Sequence, residues 1–186
     1  MSPEEQVAHL TQYLPALGEI QDPKTAQAVA QVWFSALEMS PWVSFEQAKF
    51  KEGMDHVSLI SHVNSSVECA LALARIIHKY HGCRFDEQRI ITLGLLHDVD
   101  KVVQYVYDDA GQLVVSELGR KIQHGVLTAM LAREAGFDVD MQHLIITHTH
   151  DQNMKPLFRE GILFNYADLC DWEMTCKFSE NQINVK

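Results

Sequence analysis

The sequence predicts an all-α fold, a bundle of helices with a small β-hairpin or loop insertion near residues 103–115. Three observations carry this. Apolar residues recur at three- and four-residue steps through most of the 186 residues. Residues that start and stop helices punctuate the chain at matching intervals. β-prone residues cluster in one short stretch only.

Residues from about Pro3 to Leu14 read as a short amphipathic segment. Asp22-Pro23 is a strong helix start, a carboxylate N-cap followed by proline at the first helical position. The helix it opens carries Ala26, Val29, Ala30, Trp33, Phe34 and Leu37 on one stripe, and Ser40-Pro41 stops it. Ser44-Phe45-Glu46-Gln47 has the pattern of a capping box before another short helix. A long helix follows from about Ser58 to Tyr80, with Val63, Val67, Ala70, Leu71, Ala74 and Ile77 in helical register and Gly82 suited to its C-terminal turn. Asp86 caps the next helix. Ile90, Ile91, Leu93, Leu95 and Leu96 make that helix apolar nearly all round, so it belongs at the centre of the bundle.

Tyr105-Val106-Tyr107 and Leu113-Val114-Val115 flank Asp108-Asp109-Ala110-Gly111 and predict the hairpin. Helix is expected again from about Glu117 to Ala135, closed by Gly136, then from about Asp140 to Thr147. A polar loop containing Pro156 leads to a last helix over about Arg159–Cys176. There is no internal repeat and no inter-domain linker. One domain over residues 1–186 is expected, with residues 1–55 as a helical extension that forms a lid, a dimer surface or an extra core layer.

A hydrophobic content of 47% suits a chain with a packed core. The longest apolar run, Cys69 to Ala74, falls far short of the roughly 18–20 residues that span a bilayer, and the acidic start Met-Ser-Pro-Glu-Glu lacks the features of a signal peptide. The expected location is the cytoplasm. A net charge of −10 argues against nucleic-acid polymers and anionic membranes as partners. It leaves room for a small anionic substrate held by bound cations. The four cysteines contain no Cys-x-x-Cys pair and read as reduced, structural thiols, with Cys170 and Cys176 expected to be buried.

The chemistry lies in an ordered series: His62, His97-Asp98, His124, His148 and Asp168. The steps are 35, 26, 24 and 20 residues, counted from 62 to 97, 98 to 124, 124 to 148 and 148 to 168. Each is about one helix plus a turn, so a bundle can bring all six side chains to one point. Four imidazoles and two carboxylates are ligands for one or two divalent metals, iron or manganese first, with nickel, zinc or cobalt as further candidates. His97 and Asp98 are adjacent and can share an ion only near a helix end, where the apolar run in fact stops. His148 is preferred to His150 because it follows the apolar Leu144-Ile145-Ile146, and His62 to His56. His9, His78, His81 and His143 read as surface or boundary residues. Arg120 and Lys121, about one turn before His124, are candidates to approach a substrate phosphate. Tyr105, Tyr107 and Trp172 read as packing residues.

The segments His62-Val63-Asn64-Ser65-Ser66-Val67, Leu95-Leu96-His97-Asp98-Val99-Asp100-Lys101 and Asp168 resemble the HD-domain metal-dependent phosphohydrolases over about residues 56–175. His124-Gly125-Val126 and Ile145-Ile146-Thr147-His148 resemble the two further histidines of the binuclear subgroups. Those include cyclic-di-nucleotide phosphodiesterases and HD-type diadenosine-tetraphosphate hydrolases. The resemblance implies a first ion on His62, His97, Asp98 and Asp168, and a second on His124, His148 and the other oxygen of Asp98. It implies Asp98 and Lys101 as catalytic residues, with Lys101 also binding substrate phosphate. Asp100 stands where a glycine is frequent, which adds negative charge close to the site. The Gly-Tyr-Pro signature of the cyclic-di-GMP enzymes is absent.

The expected function is therefore metal-dependent hydrolysis of a phosphoester or phosphoanhydride in a nucleotide or another small phosphorylated metabolite, by a chain that can form homo-oligomers. Two other classes share the ligand frame: a di-iron oxygenase cleaving a C–C or C–P bond, and a non-catalytic nucleotide-binding regulatory module.

Overall fold

The computed structural model describes residues 1–54, 56–149 and 154–179, with side chains described as far as 175. Its elements are the helices α1 (Pro3–Thr11), α2 (Pro23–Glu38), α3 (Leu59–His81), α4 (Glu87–Leu96) and α5 (Lys101–Gln104), the strands β1 (Tyr105–Tyr107) and β2 (Leu113–Val115), and the helices α6 (Glu117–Lys121), α7 (Val126–Glu134), α8 (Val139–Ile146) and α9 (Arg159–Ser179). Single 3-10 turns lie at Pro15–Glu19 and Phe45–Gln47. The fold is all-α with one small hairpin, in which Tyr105 pairs with Val115 and Tyr107 with Leu113.

Local chemistry accounts for most boundaries. Asp22 accepts from the backbone of Lys24 and Thr25, and Pro23 opens α2. Asp86 accepts from Arg89 N and starts α4. The long α3 ends at Gly82, whose φ of +70° is left-handed backbone that glycine adopts freely. Two caps differ from expectation. Ser44 makes no side-chain cap bond, and Phe45–Gln47 closes only a 3-10 turn. A capping box instead joins Ser2 and Glu5 at the start of α1.

A larger difference lies between Glu117 and Ala135. The expected single helix is two, α6 and α7, separated at Ile122–Gly125. Gly125 has φ +81°, which breaks helical geometry and turns His124 out of register with both helices. The helical periodicity of the flanking residues masked this break.

The central element is α4. Every residue from Ile90 to Leu96 is buried, and α3, α2 and α9 pack around it. Burying each large aliphatic side chain is worth about 1.5–3 kcal/mol. At Gly94 the helices meet so closely that an added Cβ would lie 2.5 Å from Val67 Cγ2 and 2.9 Å from Phe164 Cε2. The N-terminal residues 1–54 add a core layer. Leu10, Leu14, Val29, Trp33 and Phe45 join the same buried cluster as α3 and α4, and the Trp33 indole donates to Leu95 O at 2.7 Å. This contact ties the N-terminal layer to the turn of α4 that carries the site. Among the described residues, no helix is long and apolar enough to cross a membrane.

Cys69, Cys83 and Cys170 are free thiols. Cys170 is exposed rather than buried, because α9 is covered along one side only and Cys170 falls on the other. The side chain of Cys176 lies outside the described residues.

Candidate metal centre

The centre is built where helices end. His62 sits in the first turn of α3, and His97 and Asp98 follow the last turn of α4. Past Leu96 the backbone tightens into successive turns, Val99 N to Leu96 O at 3.2 Å and Lys101 N to Asp98 O at 3.0 Å. These turns swing two adjacent side chains toward one point, as two residues of a regular helix would not. His124 stands in the break before α7, His148 just beyond α8, and Asp168 on the inner side of α9.

Asp98 lies between two groups of nitrogen donors. Its Oδ2 is 3.2 Å from His62 Nε2 and 3.5 Å from His97 Nε2. Its Oδ1 is 3.0 Å from His124 Nε2 and 3.5 Å from His148 Nε2. Asp168 Oδ1 joins the first group, 3.1 Å from His62 Nε2 and 3.6 Å from His97 Nε2. All six side chains of the predicted series thus meet. His62, His97, Asp98 and His148 are almost wholly buried.

Each imidazole is oriented from behind. His97 Nδ1 donates to Gly94 O at 2.7 Å and His148 Nδ1 to Ile145 O at 2.6 Å. His62 Nδ1 faces Asp171 Oδ2 at 2.7 Å, and His124 Nδ1 faces Asp100 at 3.0 Å. A ring that donates through Nδ1 presents its Nε2 lone pair, and here all four Nε2 atoms point inward. They approach in pairs, His62 to His97 at 3.2 Å and His124 to His148 at 3.1 Å. Facing lone pairs at such distances repel unless a cation or a proton lies between them. The donor set therefore fits two divalent ions, and each of two groups, His62–His97–Asp98 and Asp98–His124–His148, has its donor atoms within 4.8 Å of one another.

The electrostatics of the centre make the same demand for positive charge. Burial opposes charge on His62, but Asp168, Asp171 and Asp98 together hold its pKa well above the ordinary histidine value. Burial also opposes charge on His124, and Asp100 with Asp98 carries it up to about 9. His148 moves down, because burial and the neighbouring His124 and His97 outweigh Asp98. Burial would raise both carboxylates. Lys101 and the histidines nevertheless hold Asp98 well below the carboxylate range, and His62 and His97 do the same for Asp168. Lys101 is buried too, yet Asp98 beside it keeps its ammonium charged. Its Nζ lies 3.4 Å from Asp98 Oδ2 and 4.2 Å from the centre of the Phe50 ring.

These donors, with Lys101 beside them, floor a cavity of about 280 Å³ lined further by Phe50, Lys51, Gln104, Tyr105, Thr149, Leu169 and Trp172. Arg120 and Lys121 do not line it. Both are exposed, and Lys121 pairs with Glu117 at 2.6 Å. Asp100 also stands outside the lining, turned back to accept from Gly125 N at 2.6 Å and to hold His124. Its charge is engaged there rather than offered to a ligand. Tyr105 and Trp172 line the cavity, whereas Tyr107 packs against Trp42. His56 is exposed, away from the centre. His150 lies outside the described residues.

Sequence reasoning missed Asp171, Phe50 and Lys51. Asp171 had a signal: it follows Asp168 by three residues on one helix, so the two share a face. Phe50 and Lys51 had none, because only tertiary packing brings their loop to the cavity.

A sequence model of the HD domain family matches residues 60–173. Over 114 residues the chain is 25% identical to the dihydroneopterin 2',3'-cyclic phosphate phosphodiesterase of Methanocaldococcus jannaschii, a match covering 61% of this chain and 45% of that protein. The chain thus spans less than half of that relative's length. No solved structure matches it.

Proposed function

Because this chain belongs to the HD domain family, we propose that it is a metal-dependent phosphohydrolase acting on a phosphoester or phosphoanhydride of a nucleotide or another small phosphorylated metabolite. The observation that carries this reading is Asp98, whose two oxygens face two separate sets of imidazoles at the floor of one cavity. His62, His97, Asp98 and Asp168 would hold one ion, and His124, His148 and the other oxygen of Asp98 the second. When bound, divalent ions neutralise phosphoryl oxygens and lower the pKa of water toward neutrality.

The chain's own residues supply the rest. Asp98 fixes the spacing between the two donor sets. Asp171 and Asp100 hold the His62 and His124 rings with Nε2 turned inward. Lys101 keeps a full positive charge at the cavity floor, where it offsets negative charge that builds on the phosphoryl group or the leaving oxygen. Phe50, Tyr105 and Leu169 give the cavity apolar wall, which would limit water around a bound substrate. The cavity volume suits a small molecule rather than a polymer strand, in line with the acidic surface. The Methanocaldococcus jannaschii relative is named a phosphodiesterase, which supports phosphodiester chemistry, and a substrate panel should begin with cyclic phosphodiesters.

The test is elemental analysis of protein purified without chelators, followed by a phosphatase and phosphodiesterase panel, on the wild type and on Asp98→Ala. About two ions per chain and turnover, both lost in the variant, are expected. Turnover that survives Asp98→Ala would overturn the proposal. Oxygen uptake by an iron-loaded protein that hydrolyses nothing would replace it with the oxygenase reading.

A further inference from the structure

The hydrolase reading leaves one charged group at the cavity without a task. Lys51 lines the cavity, and its Nζ lies over the ring of Trp172 on α9, 5.0 Å from the centroid. Among the described residues no carboxylate lies within ion-pair distance of it. A cation held by an aromatic face keeps its full charge, since the ring quadrupole attracts without neutralising it.

The position is built rather than incidental. Phe50, the preceding residue, is buried with its ring 4.1 Å from that of His62. Lys49 pairs with Ser58 in an isolated β-bridge, Phe50 N donates to Val57 O, and Leu59 N donates to Ala48 O. These bonds pin the loop across its base and lead directly into α3, which carries His62. Lys51 therefore sits in fixed relation to the site. Lys51 lies before the stretch matched by the family model, and Trp172 lies within it.

The cavity thus offers two separate cationic points, Lys101 at the floor beside Asp98 and Lys51 at Trp172. A phosphate held beside Lys101 leaves Lys51 on Trp172 to receive a second group. We propose that Lys51, seated on Trp172, is a specificity-determining residue that receives a second anionic group, so that the preferred substrate carries a phosphate or carboxylate beyond the phosphoryl group held at the floor. This rests on the phosphohydrolase reading for the identity of the first group.

The test is equilibrium binding to metal-loaded protein, followed by calorimetry and by tryptophan fluorescence, with Trp172→Phe identifying the Trp172 signal. The probes are a series of straight-chain alkyl phosphates with and without a terminal second phosphate or carboxylate. The two-anion compounds should bind on the order of tenfold more tightly than the one-anion compounds. Lys51→Ala should remove that preference, Lys51→Arg should keep it, and the Trp172 signal should respond to the two-anion compounds alone. The better of the two terminal groups identifies the source as phosphate or carboxylate. Equal affinity for both series in the wild type, no binding of either, or an equal loss for both in Lys51→Ala would overturn the proposal. Discrimination without hydrolysis of any phosphoester would leave it standing and remove the hydrolase reading instead.

Discussion

Asp171 stands directly behind His62. Its Oδ2 lies 2.7 Å from His62 Nδ1, and its Oδ1 accepts a hydrogen bond from Ser65 Oγ, one turn further along α3. The carboxylate therefore clamps the first turn of α3 to α9 and sets which His62 nitrogen faces the centre. Partners of this kind typically account for 10–100-fold in metal affinity.

The first prediction concerns this clamp. Asp171→Asn keeps the shape and removes the charge, so affinity for the ion on the His62 side should fall about 10–100-fold while the fold persists. Competition titration against a chromophoric chelator measures the affinity, and circular dichroism checks the fold. Wild-type affinity in this variant would mean that Ser65 and the helix packing orient His62 without the carboxylate.

Asp100 plays the corresponding part for His124, from the other side of the centre. Asp100→Asn should weaken the second ion and spare the first, giving protein with about one ion per chain under limiting metal. Stoichiometry by elemental analysis distinguishes the two sites. Equal loss at both would show that Asp100 supports Asp98 as a whole rather than His124.

Protons and metal ions compete for the same nitrogens. In metal-free protein His124 has its pKa raised to about 9, against an ordinary value of 6.5. The stabilisation from its charged form is fully present below pH 6.5 and is lost as pH rises through about 9. The melting temperature of metal-free protein should thus decline across that window, and Asp100→Asn should flatten the decline. Metal loading requires the neutral ring, so ions should bind more tightly as pH rises through the same window, with release of on the order of one to two protons near pH 7. Calorimetry in buffers of different ionisation enthalpy counts the protons, and a count of zero is incompatible with the charged His124 and His62.

The left-handed turn at Gly125 gives a structural prediction. Its φ is +81°, and an added Cβ would lie 3.1 Å from Ile145 O. Gly125→Ala should cost about 1–2 kcal/mol from backbone geometry alone. It should also loosen the second metal ion, because the same turn places His124. Chemical denaturation measures the first effect and metal titration the second. A variant as stable as the wild type would imply that the break between α6 and α7 relaxes at little cost.

The chain's order of elements, and the six side chains that meet at the candidate centre, were largely legible in the sequence. Asp22-Pro23, Asp86 and Gly82 mark helix ends through interactions within a few residues, and local chemistry of that kind is written in the sequence. The six donors were legible for a related reason. Imidazole and carboxylate donors suit transition metals, and the geometry brings all six together. The break at Ile122–Gly125 was not legible, because apolar periodicity continues across it and a single glycine is tolerated in many helices.

What the sequence by itself determined is the material of the centre: helices of given length, and four histidines and two aspartates at their ends. Tertiary structure alone decided what stands around them. It set Asp171 behind His62, turned Asp100 away from the cavity, carried Lys51 and Phe50 in from a separate loop, and left Arg120 and Lys121 in solvent. The reason is physical. A helix cap or a ligand type depends on neighbours a few bonds away, whereas orientation and access depend on how α3, α4 and α9 pack, and that is settled by the burial of the whole core.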